Sequence, residues 1–213
     1  MRYDLHVHTH NSACSVLRPE TILKIAKMVK LDGIAVVDHN SIKGGQEVKK
    51  ANKDPDFEVI PSIEVSTDRG HVVGLYVNEE IKSRNFFDVS DAIKKQGGIV
   101  IIAHPFRMIP KLRSKLKGVN VKKYLDGMEC YNARTSYFGN RSSIRFAEKF
   151  DLAKTGGSDA HFSFEIGRCV TVFDGNLRKA IRERKTNVEG SNVLGILGST
   201  LSFVNKRVFR RWG

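Results

Sequence analysis

Tyr3-Asp4-Leu5-His6-Val7-His8-Thr9 is the stretch on which the reading of this fold turns. Its alternating apolar residues suit a β-strand, and residues two apart on a strand leave the same face. His6 and His8 therefore share a face at the end of the run. In an α/β protein such a strand is buried on both sides. Two imidazoles held there need a common partner, and a metal ion satisfies both in their neutral form. A lone buried histidine is ordinarily a hydrogen-bonded core residue; a pair at a strand end points to metal.

The same placement recurs along the chain. Asp38-His39 closes the run Ile34-Ala35-Val36-Val37 and precedes the loop Asn40-Ser41. Glu64 closes Val59–Ile63, and a carboxylate there is able to bridge two cations. His71 opens a short run after the turn Asp68-Arg69-Gly70. His104 ends Ile99-Val100-Ile101-Ile102-Ala103, where Pro105 forbids an early helix. Asp159-Ala160-His161 follows the turn Gly156-Gly157-Ser158. Taken singly, each residue is equally a helix cap or a solvated loop charge; taken jointly, they suggest a metal cluster. His10 falls outside this register and reads as a loop residue.

Expected strands are Tyr3–His8, Gly33–Asp38, Phe57–Glu64, His71–Val77, Ile99–Ala103, Gly127–Cys130, Leu152–Gly156 and Cys169–Phe173. Between them, Ile22, Ile25, Ala26 and Val29 form one helical face after Pro19-Glu20, and Val89, Ala92 and Ile93 another before Gly97-Gly98. Two more helical patterns follow, around Ile144 to Phe150 and Leu177 to Ile181. The alternation argues for a parallel sheet covered by helices. Candidate ligands arise from nearly every strand, and only a barrel gathers the carboxyl ends of all strands around one point. The expected fold is α/β, a distorted (βα)7-type barrel in a single domain over residues 1–185. A C-terminal amphipathic helical tail is expected over 186–213.

In that tail Val193, Ile196, Leu197, Leu201, Val204 and Val208 share a face, ahead of Lys206, Arg207, Arg210 and Arg211. It reads as a helix packed on the barrel with a solvated basic end; the sharper readings are a surface for RNA or for anionic lipid. A length of 213 residues suits one domain. The net charge of +13 favours anionic partners, phosphorylated metabolites or nucleic acid. Cys14, Cys130 and Cys169 are isolated, so neither a disulfide framework nor a Cys-x-x-Cys zinc site is expected. The first residues are too polar for a secretory signal, and no stretch has the ~20 apolar residues of a membrane span. A cytoplasmic location follows as an expectation.

His6-Val7-His8-Thr9, Asp38-His39, Glu64, His71, His104-Pro105 and Gly157-Ser158-Asp159-Ala160-His161, in this order, resemble the PHP family, named for polymerase and histidinol phosphatase. The resemblance covers residues 1 to about 185. It implies a distorted seven-stranded β/α barrel with two or three divalent metal ions (zinc, manganese or iron) that hydrolyses phosphate esters. On that resemblance His6, His8, Glu64 and Asp159 hold a first ion, Glu64, His71 and His104 a second, and His39 and His161 a third. The family usually supplies a further Asp or His to the third ion, at positions that here are Ala13 and Cys14. Cys14 as a thiolate favours a softer metal there; the alternative is a weak or empty third site. The absence of His-Gly in this loop argues against a histidinol phosphatase.

Two ions bridged by Glu64 imply a metal-bridging hydroxide as nucleophile. Asp159 or a nearby histidine then orients it, and His39 or His161 serves the leaving group if no third ion is present. Arginine forks are the natural second contact for phosphate. Arg18, Arg107 and Arg134 are the candidates, Arg134 lying in a segment similar to one that meets substrate in the family; Arg168 is weaker. Glu129 ends a strand on the expected rim, where it meets substrate or joins the second ion. The leading expectation is a phosphoesterase acting on a small molecule, a nucleotide or the end of a short oligonucleotide. The rivals are a nuclease of longer RNA or DNA and a non-catalytic, metal-binding structural module.

Overall fold

A computed structural model describes residues 1–107, 116, 118–192, 195, 198, 199 and 201. All eight expected strands form: β1 (Arg2–Val7), β2 (Gly33–Val36), β3 (Glu58–Thr67), β4 (Gly70–Leu75), β5 (Ile99–Ile102), β6 (Gly127–Asn132), β7 (Ala153–Gly157) and β8 (Cys169–Val172). A ninth, β9 (Asn187–Gly190), has no apolar alternation to announce it. It pairs antiparallel with β8 and carries the sheet past residue 185.

The helices are α1 (Pro19–Met28), α2 (Lys43–Ala51), α3 (Phe86–Lys95), α4 (Val121–Tyr124), α5 (Tyr137–Phe150) and α6 (Leu177–Arg182). Pro19 starts α1 with its fixed φ, and Ile22 and Ala26 bury the inner stripe. Asn85 caps α3 by accepting from the amides of Phe87 and Asp88. α2 was not foreseen, because Gly44-Gly45 near its start disfavours a helix. Gly44 lies against the Asp38 carboxylate and Thr9, and any side chain there would overlap them.

The strand order is β7-β6-β5-β4-β3-β2-β1-β8-β9. The barrel closes where β1 meets the end of β7. His8 N donates to Ala160 O (3.0 Å) and Ala160 N to His6 O (3.2 Å). Gly157 makes this approach possible, since a Cβ there would strike the backbone and Cβ of His6. The expected barrel is therefore present, but its sheet is not uniformly parallel as the alternation suggested. β4 is antiparallel to both β3 and β5. The reason is local: Asp68-Arg69 is too short to cross the sheet, so β3 and β4 form a hairpin.

Two register shifts aim side chains at the carboxyl end. Asp4 pairs with Ile34 and Val7 with Val36, so β1 carries one residue more than β2 across this interval. This bulge lets Leu5 and His6 line the same small internal void, while Val7 joins Ile22 and Ala26 in the outer layer. β6 shifts likewise between Glu129 and Tyr131.

Of the expected tail, Gly195, Gly198, Ser199 and Leu201 are helical, with Gly195 and Gly198 packed on Ala133 and Glu165. Val193, Ile196, Leu197, Val204, Val208 and the basic cluster Lys206, Arg207, Arg210 and Arg211 lie outside the described residues. Among the described residues no helix is long and apolar enough to cross a membrane.

Asp4, fully buried, ties β1 to the far side of the closure. Its carboxylate accepts from the amides of His6, Ser158 and Gly167 (3.2, 2.9 and 2.9 Å) and from Ser158 Oγ (2.6 Å). Asp4→Ala leaves three N–H groups without this acceptor, those of His6 and Ser158 buried and that of Gly167 half-buried. It is expected to lower the unfolding free energy by about 3 kcal/mol, read from urea midpoints at unchanged m.

Candidate metal centre

β1, β3, β4 and the segments just after β2, β5 and β7 each deliver one or two side chains to a single point at the mouth of the barrel. Glu64, fully buried on β3, stands at its centre. Its Oε1 lies 2.8 Å from His71 Nδ1, 3.0 Å from His104 Nε2 and 3.8 Å from His6 Nε2. Its Oε2 lies 2.8 Å from His39 Nδ1 and 3.6 Å from His8 Nε2. His6 Nε2 and His8 Nε2 face each other at 3.1 Å. Asp159 Oδ1 sits 3.3 Å from His8 Nε2 and 3.7 Å from His6 Nε2.

Among the described residues the donor atoms form four overlapping groups, each with all atoms within 4.8 Å: His6-His8-Glu64, His6-His104-Asp159, His39-Glu64-His71 and His8-His39-His161. These cut across the sets expected from the resemblance. His104 groups with His6 and Asp159, and His39 with Glu64 and His71. Glu64 Oε1 nonetheless lies within 3.0 Å of both His71 and His104.

This donor set fits divalent cations. Glu64 Oε2 and His39 Nδ1 are close but misaligned, and both are buried without a hydrogen bond. Two tautomers are set from behind. His6 Nδ1 donates to Glu129 Oε1 (2.8 Å) and His161 Nδ1 to the Asp159 carbonyl (2.8 Å), which turns each Nε2 inward, where its lone pair would meet a cation. Burial pushes His8 down to about 4, so this imidazole is neutral. Burial alone would raise Asp159 and Glu64. The Arg107 guanidinium and His6 beside Asp159, and His6 and His104 beside Glu64, hold both carboxyls well below their ordinary range. Burial pulls His6, His8, His39, His104 and His161 down, and His8, His104 and His161 follow it, but the surrounding carboxylates hold His6 well above its ordinary value and, with Cys14, His39 at about 10.

Backbone strain accompanies the convergence. Asn40, His104 and Asp159 adopt positive φ of 55°, 26° and 56° where β2, β5 and β7 run into their loops. Asp38, by contrast, faces away from the cluster. Fully buried, it accepts from Thr9 N (2.8 Å), Thr9 Oγ1 (2.6 Å) and Ser12 Oγ (2.5 Å), clamping the loop that carries Cys14. Cys14 Sγ then lies 3.0 Å from His161 Nε2.

The arginines divide. Arg107 Nη2 donates to Asp159 Oδ2 at 2.5 Å with a third of its side chain exposed. Arg134, expected on substrate, is buried, and its fork is taken by Glu165 (2.8 and 2.6 Å). Glu165 also accepts from the amides of His161 and Phe162. Arg18 is the exposed N-cap of α1, and no contact among the described residues brings it to the cluster. Arg168 is exposed and donates to Phe164 O. Glu129 is not on the rim. It lies buried beneath His6, with its other oxygen accepting from His104 N (2.6 Å) and Asn132 Nδ2 (3.1 Å). His10 is an exposed loop residue. In the sequence Asp4, Asn132 and Glu165 have no assigned role, and Ser158 reads only as part of a turn and motif. Of the first three, only Asp4 carries a pattern there, two residues before the histidine pair.

An open cleft of about 520 Å³ leads to the cluster between Asn11, Cys14, His39, Asn40, Ser66 and His71.

Residues 139–186 match the family described as PHP-associated. An uncharacterised protein of Methanocaldococcus jannaschii is 37% identical over 145 residues, which is 62% of this chain and 82% of that protein. A second from the same organism is 33% identical over 181 residues, 81% of this chain and 70% of that protein. A 5'-3' exoribonuclease of Haemophilus influenzae is 22% identical over 269 residues, covering 81% of this chain and 96% of the enzyme. Among solved structures, a two-domain protein from Bacteroides vulgatus containing a predicted PHP-like metal-dependent phosphoesterase has a TM-score of 0.72 at 18% identity. It covers 96% of this chain and 69% of that one. A lesion-specific endonuclease of Pyrococcus furiosus has a TM-score of 0.60 at 18% identity, over 86% of this chain and 56% of the enzyme. At such identities the solved structures share the fold alone. The kinship in sequence comes from the two archaeal proteins, and with most of each aligned to this chain, the chain belongs to the PHP family.

Proposed function

We propose that this chain is a metal-dependent phosphoesterase that hydrolyses the phosphate ester of a small molecule, a nucleotide or the end of a short oligonucleotide. The observation that carries this reading is Glu64. A fully buried carboxylate with an unpartnered oxygen, ringed by imidazoles at the foot of an open cleft, is a donor set for cations. His6, His8, Glu64 and Asp159 are the proposed ligands of one ion, and Glu64, His71 and His104 of a second. His39 and His161 are those of a third, with zinc, manganese or iron suited to the nitrogen and oxygen donors. When bound, such ions supply an activated water and neutralise charge gathering on the phosphoryl oxygens.

The protein's own groups do the rest. The cluster is sealed on the β1 side, where His6 and His8 are buried, and open towards His39 and His71, whose side chains are about a third exposed. Substrate enters from that face. Arg107, partly exposed and anchored on Asp159, offers its remaining N–H groups to a phosphoryl oxygen. Asp159 orients the attacking water, and where the third position holds no ion His39 or His161 moves the proton of the leaving oxygen. Glu129 acts through His6, holding its tautomer and ring plane. The proposal includes a barrel domain followed by a basic C-terminal segment, acting in the cytoplasm.

A second reading, a nuclease of longer RNA or DNA, is favoured by the charge of +13 and by the nuclease names among the relatives. A non-catalytic structural role is the third, and the near-complete donor set speaks against it.

Hydrolysis of a phosphomonoester or dinucleotide panel is expected to vanish on chelation and return with manganese or zinc. His6→Ala or Asp159→Asn is expected to lower kcat/KM by about 1,000-fold, roughly 4 kcal/mol, at unchanged far-ultraviolet dichroism. Full activity in both variants would refute the assigned site. Glu129→Gln preserves volume but weakens the acceptor behind His6, so metal affinity is expected to fall by roughly 10- to 100-fold in competitive chelator titrations. Salt separates the substrates. For a nucleotide, log(kcat/KM) against log[salt] is expected to be nearly flat, whereas a duplex neutralising six phosphates gives a slope of about −5.

A further inference from the structure

The loop after β1 places a sulfur where the rest of the cluster has nitrogen and oxygen. Cys14 Sγ lies 3.0 Å from His161 Nε2, the nitrogen left unprotonated because Nδ1 donates to the Asp159 carbonyl. His161 groups with His8 and His39 within 4.8 Å. Nearby, Glu64 Oε2, on a fully buried side chain, and His39 Nδ1 lack hydrogen bonds. The sulfur is held there firmly. Ser12 Oγ donates to Asp38 and accepts from His39 N (3.0 Å), and Ser15 Oγ reaches both the His8 and His161 carbonyls (3.1 and 3.2 Å). Cys14 is also half-buried beside the open cleft, whereas Cys130 and Cys169 are fully buried.

We propose that Cys14 ligates, as a thiolate, a third divalent ion held with His39 and His161, so that this position selects zinc, cobalt or cadmium over manganese. This rests on the metal cluster proposed above and adds its least expected ligand. Binding converts Cys14 S–H to a thiolate, its proton passing to solvent through the open cleft, and a sulfur–metal bond forms with no change of oxidation state. Sulfur is soft and polarisable and prefers borderline and soft ions, whereas manganese prefers oxygen.

Cobalt reports on the site without reference to activity. The cobalt-loaded chain is expected to hold three ions by elemental analysis and to show thiolate-to-cobalt charge-transfer absorbance in the near ultraviolet. Cys14→Ser is expected to lose that absorbance and one ion. Cys14→Asp is expected to regain the ion without the absorbance and to take up manganese there. The unmodified chain gives a test that needs no variant. Cys14 is the accessible thiol among the described residues, so Ellman's reagent is expected to label the apo-protein at least tenfold faster than the zinc-loaded protein. Two bound ions with intact hydrolysis, no thiolate absorbance and equal labelling in both states overturns this inference alone. No ion uptake at all overturns it together with the proposed function. Thiolate absorbance without hydrolysis of any phosphoester supports it while refuting the function.

Discussion

Glu64 holds a carboxylate with no access to water, and five imidazoles crowd its two oxygens within 3.8 Å. Withdrawing such an ion from solvent costs several kcal/mol unless partners restore what water gave up. Here the partners come from β1, the ends of β2 and β5, and β4. The strands cannot slide relative to one another without stranding that charge. The centre of the barrel mouth is thus both the reason for the arrangement and its most expensive feature.

The buried carboxylates of this end fall into two kinds. Asp4, Asp38 and Glu165 are consumed by the protein itself, accepting backbone amides, hydroxyls or the Arg134 fork, and their effect is to hold loops. Glu64 and Asp159 keep oxygens turned towards the cluster of imidazoles. Glu129 lies between the kinds, spending both oxygens on groups that orient ligand histidines. Nothing in residue type separates these roles. The partners that packing brings to each oxygen do.

The bulges of β1 and β6 and the positive φ at Asn40, His104 and Asp159 show how a barrel with ordinary strands concentrates donors. A regular strand sends every second side chain inward at fixed spacing. One extra residue in β1 allows Leu5 to fill the interior and His6 to follow it, while His8 still turns inward at the mouth. The resulting site is closed behind and open at one flank, where His39, His71 and Cys14 border the cleft.

The sequence by itself determined much of this protein. Eight strands, the barrel and the histidines that meet at its mouth were legible, because apolar runs ending in His, Asp or Glu are a local pattern and every such run obeys the same periodicity. What it left open was decided by contacts between residues far apart in the chain. Arg134 belongs to Glu165, and Glu129 to His6 across 123 positions. β4 runs backwards because of a two-residue turn, and α2 carries Gly44 where any side chain would overlap Asp38 and Thr9. Burial and partner choice are properties of packing, and packing has no period to read along a chain.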